Sequence, residues 1–374
     1  MKTYVHKKDQ YYYLTACFAS VYSEQYSEKE IQNKVKQWFN YNHLIKKDHH
    51  SLTKGNPTYF FNKESLNMLQ TKGGLIATMH MGNYANIVSA LLTQKIGNIQ
   101  IVVSKQIFDQ QGDFYQKLAA DHQSQIDILV AENVMSLRKV IKHVRNGGIS
   151  VIFMDGNAGV GKMDPNDKNR LKINFLSKPA SVKTGVAYIA SMANVPVVGA
   201  ISFYNHQDNK CIRFSPHFYV KDRSEMERAN CIKQLYAFFE TVFHDHSEQW
   251  EGWFYPYRLW LSSSHVPVVT QDLILKKQSE LYHLCQHQDY EQMTIAASPL
   301  NVGILSSSDD HIIFDSKTRL VLQANQMACH LIYDAYHHKS FATVIHHYGM
   351  NVVINELTRL ILCGWVVVKK GRNR

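Results

Sequence analysis

The chain has 374 residues, enough to bury a large core and to form two domains rather than one. Lys and Arg number 41 against 31 Asp and Glu, and the resulting +10 charge favours an anionic partner without choosing among a membrane surface, a phosphorylated lipid, an acidic carrier protein and nucleic acid. No window of about 18 apolar residues occurs, which argues against a spanning helix. Six scattered cysteines without a C-x-x-C pair read as free thiols of a reducing compartment.

The basic N-terminus leads into an apolar segment that Ser, Glu and Gln interrupt, so it reads neither as a signal peptide nor as an anchor. The expectation is a cytoplasmic protein whose contact with lipid, if it has any, is peripheral. Residues 28–42 place Ile31, Val35, Trp38 and Phe39 at helical spacing, a face that packs on a core or meets a membrane or acyl donor. The stretch that organises the rest is GGLIATMHMGNYAN, residues 73–86. An apolar run, a Gly-containing turn and a helix-like segment form the punctuation of an α/β unit. His80 falls at the carboxyl end of that strand, where open α/β sheets place their chemistry, although a satisfied structural histidine fits the position equally.

Further strands are expected over residues 99–103, 126–129, 149–154, 195–201 and 211–218. Helices are expected over 114–122, 134–144, 180–193 and 225–246. This alternation predicts an α/β fold with a mostly parallel sheet flanked by helices. Trp250, Trp253, Phe254, Tyr255, Tyr257 and Trp260 then crowd into eleven positions, as a packed lid or a membrane-interface belt. After Pro267 the texture changes. The division expected is a domain over 1–265, a linker or bridging helix over 266–297, and a small winged-helix-like α+β domain over 298–374. In the last, a hairpin spans 312–314 and 319–322, helices cover 325–336, 341–348 and 352–362, and a strand covers 365–368.

Residues 10–262 resemble the lysophospholipid acyltransferase-like superfamily, specifically its bacterial lipid A late acyltransferase branch. The family motif H-x-G-N-W-E is matched by His80-Met81-Gly82-Asn83-Tyr84-Ala85, and the acidic turn after a strand by Met154-Asp155-Gly156-Asn157. The F-F-G-x-P-A stretch that opens a helix is matched by residues 174–180, which include Phe175, Lys178, Pro179 and Ala180. The A-P-V-V-P run corresponds to residues 195–199, and the closing Trp/Arg signature to residues 247–258, with Trp253 and Arg258. The resemblance implies transfer of an acyl chain from an acyl carrier protein or coenzyme A thioester to a hydroxyl or amine, with no bound cofactor and no metal.

The same resemblance implies that His80 is the general base, with Gly82, Asn83, Tyr84 and Asn157 supporting the motif or the oxyanion. Phe175, Pro179, Trp253 and Arg258 would edge the acyl groove. Lys162, Lys168, Arg170, Lys172 and Lys178 would hold an acceptor phosphate or a phosphopantetheine arm, unless they are simply solvated. The acid that follows the motif histidine in the family is Ala85 here. Either another carboxylate orients His80, with Asp155 the first candidate, or the acceptor is an amine that asks less of the base, or the fold only binds.

Residues 298–370 resemble, more faintly, PqqD-like domains, which implies pairing of a strand edge with a peptide or carrier segment. Paired histidines (His49-His50, His337-His338, His346-His347) lack zinc-ligand spacing. No G-x-S-x-G elbow or nucleotide-binding glycine loop occurs, and the dispersed charge disfavours nucleic acid. An acyltransferase and a non-catalytic protein of the same fold that recruits a peptide or carrier are the two functions left.

Overall fold

A computed structural model describes residues 7–22, 24–49, 58–156, 169–254, 259–260, 270–286, 288–297, 302–306, 311–315 and 320–370. Helices α1 (Lys7–Tyr22) and α2 (Glu28–His49) come first, and α2 runs seven residues past the amphipathic helix expected to end at Asn42. Ser27 and Glu30 form a reciprocal cap at its start, with the Ser27 N–H donating to Glu30 Oε2 at 2.7 Å. Ile31, Val35 and Trp38 are buried, so this face is packing surface and not a lipid-facing one.

The chain divides into two compact units, residues 36–261 and residues 1–35 together with 262–374. The boundary therefore falls inside α2 and not only near residue 265, because the N-terminal helix packs with the C-terminal strands.

The 36–261 unit contains β1 (Tyr59–Phe61), α3 (Ser65–Lys72), β2 (Gly74–Thr78), α4 (Ala85–Thr93), β3 (Asn98–Val103), α5 (Lys105–Asp121), β4 (Gln125–Val130), α6 (Val134–Arg145), β5 (Ile149–Phe153), β6 (Arg170–Phe175), β7 (Lys178–Lys183), α7 (Gly185–Ala193), β8 (Val197–Tyr204), β9 (Lys210–Phe218) and α8 (Glu225–His246). Seven strands form one sheet in the order β1-β9-β8-β2-β5-β3-β4. Every pairing is parallel except β8 with β9, in agreement with an α/β, mostly parallel sheet flanked by helices. The central strands β2 and β8 are buried throughout, as a sheet covered on both faces requires.

Across the sheet, Ser150 Oγ donates to Gln100 Oε1 at 3.1 Å and Gln100 Nε2 donates to Asp127 Oδ2 at 2.8 Å. This chain of bonds ties β5, β3 and β4 in one register, since a slip would leave buried polar atoms unpaired. Helix starts follow local chemistry: Ser104, Asn133 and Ser224 cap α5, α6 and α8 through side chains that accept backbone N–H groups. The Ser104 cap explains why α5 begins nine residues before the apolar pattern at Phe114 reveals it.

Residues 180–183 depart from expectation. They belong to β7, which pairs antiparallel with β6, and the helix starts only at Gly185. Leu176 and Ser177 join the two strands with φ of 53° and 61°, the mirror-type two-residue turn that matches strand twist and favours glycine. Ser177 is exposed, so Ser177→Gly removes αL strain at little packing cost. Chemical denaturation should show a gain of about 1 kcal/mol.

The second unit adds to α1 the helix α9 (Gln271–Gln286), β10 (Met293–Ala297), β11 (Val302–Ser306), β12 (His311–Asp315), β13 (Leu320–Ala324), α10 (Gln326–Tyr336), α11 (Phe341–Tyr348), α12 (Met350–Leu362) and β14 (Val366–Lys370). Strands β11, β12 and β13 form an antiparallel sheet, and β10 pairs with β14. Tyr13 of α1 packs edge-on to Phe314 of β12 with ring centroids 5.5 Å apart. The expected hairpin and three helices are present. Residues 266–297, expected as a linker or bridging helix, contain that helix as α9, and also β10; their Leu281 and Ile295 are buried in this unit's core with Leu331, Ile354 and Leu357. Polarity of α9 concealed this, because only Leu281 of that helix is buried.

Candidate functional site

Strands β2 and β5 are neighbours in the sheet, and their register pairs Thr78 with Phe153. Two residues beyond each strand end stand His80 and Asp155. Parallel pairing thus brings together side chains separated by 75 positions in the sequence. Asp155 Oδ1 lies 2.8 Å from His80 Nδ1, and Asp155 Oδ2 accepts the His80 backbone N–H at 3.0 Å and Trp250 Nε1–H at 2.8 Å. With its proton on Nδ1, the ring presents Nε2 as the basic nitrogen.

The Asp155 side chain is 3 % exposed and that of His80 is 26 % exposed. Burial alone would push the imidazolium down. The Asp155 charge and hydrogen bond, with a further contribution from Glu251, outweigh it and hold the His80 pKa above the usual histidine value. Burial would likewise raise the carboxyl of Asp155, but His80, Trp250 and the backbone N–H keep it below the usual carboxylate range. His80 is stacked on Phe153 at 4.4 Å and meets the Tyr84 ring edge-on at 4.9 Å. This is a rigid, oriented base.

A second segment fixes the first. The Gly82 N–H donates to Gln249 O at 3.0 Å and the Glu251 N–H donates to His80 O at 2.9 Å, so residues 249–251 run alongside 80–82 as a short antiparallel bridge. Trp38 Nε1–H anchors Trp250 O at 2.9 Å. Gly82 has φ of +53°, and a Cβ there would sit 2.6 Å from Ser202 O, so only glycine fits.

His80 opens on a cavity of about 570 Å³, within the range of small-ligand sites. Its walls away from the histidine are mainly apolar, with Val103, Ile107, Leu137, Val140, Val186 and Ile189 among them, and Gln106, Asn169 and Lys183 are among the polar members. Leu137 is 42 % exposed although it belongs to the apolar face of α6; it faces this cavity. The arrangement provides a base beside a slot for a hydrocarbon chain.

The other expected site residues scatter. Tyr84 lines the cavity, and its burial keeps the phenol protonated. Asn83 is buried and lines a different cavity, and the Gly82 N–H is already spent on Gln249, so neither is placed as an oxyanion donor in the groove. Phe175 and Trp253 are fully buried structural residues. Phe175 packs edge-on to Tyr236, Phe243 and Trp250, and Trp253 Nε1–H donates to Ser247 O. Neither edges the groove, and exposed Pro179 on β7 does not line it either. Burial of Trp250 and Trp253 also removes them from any membrane belt.

Arg170 is tied across the hairpin to Ser181, with Nε–H donating to Oγ at 2.8 Å; exposed Lys172 and half-buried Lys178 stay on the same hairpin. None of the three lines the cavity. Among the described residues, the lysine that does is Lys183, an unremarked member of β7. Asn157, Lys162, Lys168 and Arg258 lie outside the described residues.

Ala85 is 0 % exposed and begins α4 inside the main apolar core with Ile76 and Val88. The carboxylate missing from that position is supplied at the site by Asp155. Trp250 and Glu251 escaped the sequence reading as site residues because the aromatic run hides their pairing with the histidine strand. The only available signal was the Trp-Glu dipeptide within the closing signature.

Among the described residues no cluster of three or more His, Cys, Asp or Glu is placed to hold a metal. No described helix is long and apolar enough to cross a membrane. No protein-family model matches the chain, and comparison with curated proteins likewise finds no match.

Proposed function

We propose that the 36–261 unit is an acyltransferase moving an acyl chain from a carrier protein or coenzyme A thioester to a hydroxyl or amine. The observation that carries this reading is the His80–Asp155 pair, with Nδ1 held by the carboxylate and the histidine lining a mainly apolar cavity. The acyl chain occupies that cavity with its carbonyl beside His80. The acceptor nucleophile gives its proton to Nε2 as it attacks the carbonyl carbon. The tetrahedral intermediate then collapses, the C–S bond breaks, and the imidazolium returns the proton to the departing thiolate. Asp155 stabilises the imidazolium between the two transfers. Lys183 at the cavity is suited to the phosphates of the donor's pantetheine arm.

The test is intact-mass detection of acyl transfer by wild type and His80→Ala with both donors and a panel of lipid, sugar and amine acceptors. Wild type is expected to transfer, with a loss of at least roughly 10²-fold in His80→Ala. Equal slow transfer by both proteins would favour the non-catalytic reading. In the second unit, the β11–β12–β13 sheet and helices α10–α12 support the winged-helix-like, PqqD-like reading, in which a strand edge takes a peptide or carrier segment.

A further inference from the structure

Helices α5, α6 and α7 all begin at the cavity that His80 lines, and each contributes first-turn residues to its wall. Two of these starts are tied to one another. The Ala131 N–H donates to Val103 O at 2.7 Å, and the Lys105 N–H donates to Glu132 Oε2 at 3.0 Å. Around them gather apolar side chains that the core does not take. Val134 and Met135 of α6 are 78 % and 50 % exposed, and Leu137 of α6, Phe108 of α5 and Tyr188 of α7 are exposed as well. A single exposed apolar residue is ordinary on a protein surface. Several on the first turns of three helices, around one mainly apolar cavity, form an interaction surface.

The charges that follow say what the surface meets. Arg138, Lys139 and Lys142 of α6 are exposed and have no carboxylate partner among the described residues. Arg138 and Lys139 stand about 6–8 Å behind Val134 along the helix axis, at about 1.5 Å per residue. The headgroup layer of one bilayer leaflet is about 5–8 Å deep. With the start of α6 set toward a bilayer, apolar tips that reach the acyl boundary therefore leave these two cations level with the lipid phosphates. Lys142 stands one turn further back, where its long stem can still carry the ammonium forward. The acids at these helix starts are engaged: Asp109 pairs with Lys105 Nζ at 2.5 Å, and Glu132 holds the Lys105 N–H. An acidic carrier protein would meet Val134 and Met135 before it met the cations, and would need an apolar pocket to receive them. A bilayer receives them anywhere.

We propose that the first turns of α5, α6 and α7 dock on the surface of an anionic lipid bilayer, with the cavity opening toward the lipid. Hydrocarbon then passes between bilayer and cavity without crossing water. Docking stands apart from the acyl-transfer reading, because vesicle binding needs no turnover.

The experiment is flotation of the full-length protein with vesicles of phosphatidylcholine alone and of phosphatidylcholine with phosphatidylglycerol. Wild type is expected to float with the anionic vesicles and far less with the neutral ones. Arg138→Gln/Lys139→Gln is expected to weaken that binding tenfold or more, at roughly fivefold per cation. Val134→Ser/Met135→Ser is expected to weaken it about tenfold, through lost apolar burial. All four positions are exposed, so the thermal unfolding midpoint should not move. Lys72→Gln/Lys95→Gln deletes the same charge from exposed positions just before β2 and β3, at the opposite edge of the sheet, and should leave binding unchanged. No binding to anionic vesicles, equal loss in the two lysine-containing double variants, or binding indifferent to Val134→Ser/Met135→Ser would overturn the assignment. An acidic acyl carrier protein is titrated in parallel. If Arg138→Gln/Lys139→Gln loses the carrier and keeps the vesicles, the surface belongs to a protein partner and the bilayer assignment falls.

Discussion

Asp155→Asn is expected to lower acyl transfer by roughly 10²–10⁴-fold while leaving the fold intact. The substitution keeps the size of the side chain but deletes the charge that faces His80 at 2.8 Å and accepts Trp250 Nε1–H. The pH profile carries the more specific signature. In wild type the active, neutral form of His80 appears only above the ordinary histidine range, because Asp155 and Glu251 stabilise the imidazolium. The rising limb of kcat/KM against pH should therefore lie above about 6.5. In Asp155→Asn that limb moves to lower pH as the plateau falls. A reduced plateau with an unmoved limb would mean that the carboxylate only holds local structure. Stability follows the same linkage. The stabilisation associated with His80 is complete below its unfolded pKa and is lost as pH rises through the folded one. That associated with Asp155 is present above its unfolded pKa and disappears as pH falls through the depressed one.

Ala85→Glu should be the most damaging substitution at the motif, although it restores the residue type that the resembled family carries there. Position 85 is fully buried with Ile76, Val88 and other apolar side chains around it. A carboxylate in that setting has no basic partner, since Asp155 already occupies His80 Nδ1. The expected loss is about 3–5 kcal/mol, read as a lower denaturant midpoint, with no gain in transfer rate. Ala85→Ser, smaller and neutral, should lose far less. A stable and faster Ala85→Glu protein would show that the helix start can turn its side chain towards the histidine.

Much of the sheet was legible because it is buried on both faces. Leu75-Ile76-Ala77 and Ile149-Ser150-Val151 read as strands on composition, and α8 could be bounded from its apolar spacing. Legibility failed where tertiary pairing overrode local pattern. Pro179-Ala180 resembles a helix start but is committed to β7 by its partner β6. Helix α9 was legible as a polar helix, but not its docking in the second unit's core, because one buried leucine suffices for that. At the site, His80 and Asp155 were each marked by a strand end. What the residues alone did not disclose was that β5 and not β3 lies next to β2, the adjacency that joins them. The basic candidates misled for a different reason: charge density along the chain carries no information about which lysine reaches the cavity, and among the described residues it is Lys183.

The division of the chain also sets an order of synthesis. Residues 36–261 are contiguous, so this unit can complete its sheet while later residues are still being added. The other unit cannot. Its first helix, with buried Leu14 and Phe18, must wait for strands more than 280 residues downstream, a contact of high sequence separation that closes slowly. Until then α1 is an unsheltered apolar segment on the nascent chain. A fragment intended to isolate the catalytic unit is therefore better begun near residue 36 than at the first methionine, because the longer fragment keeps α1 and discards the strands that cover it.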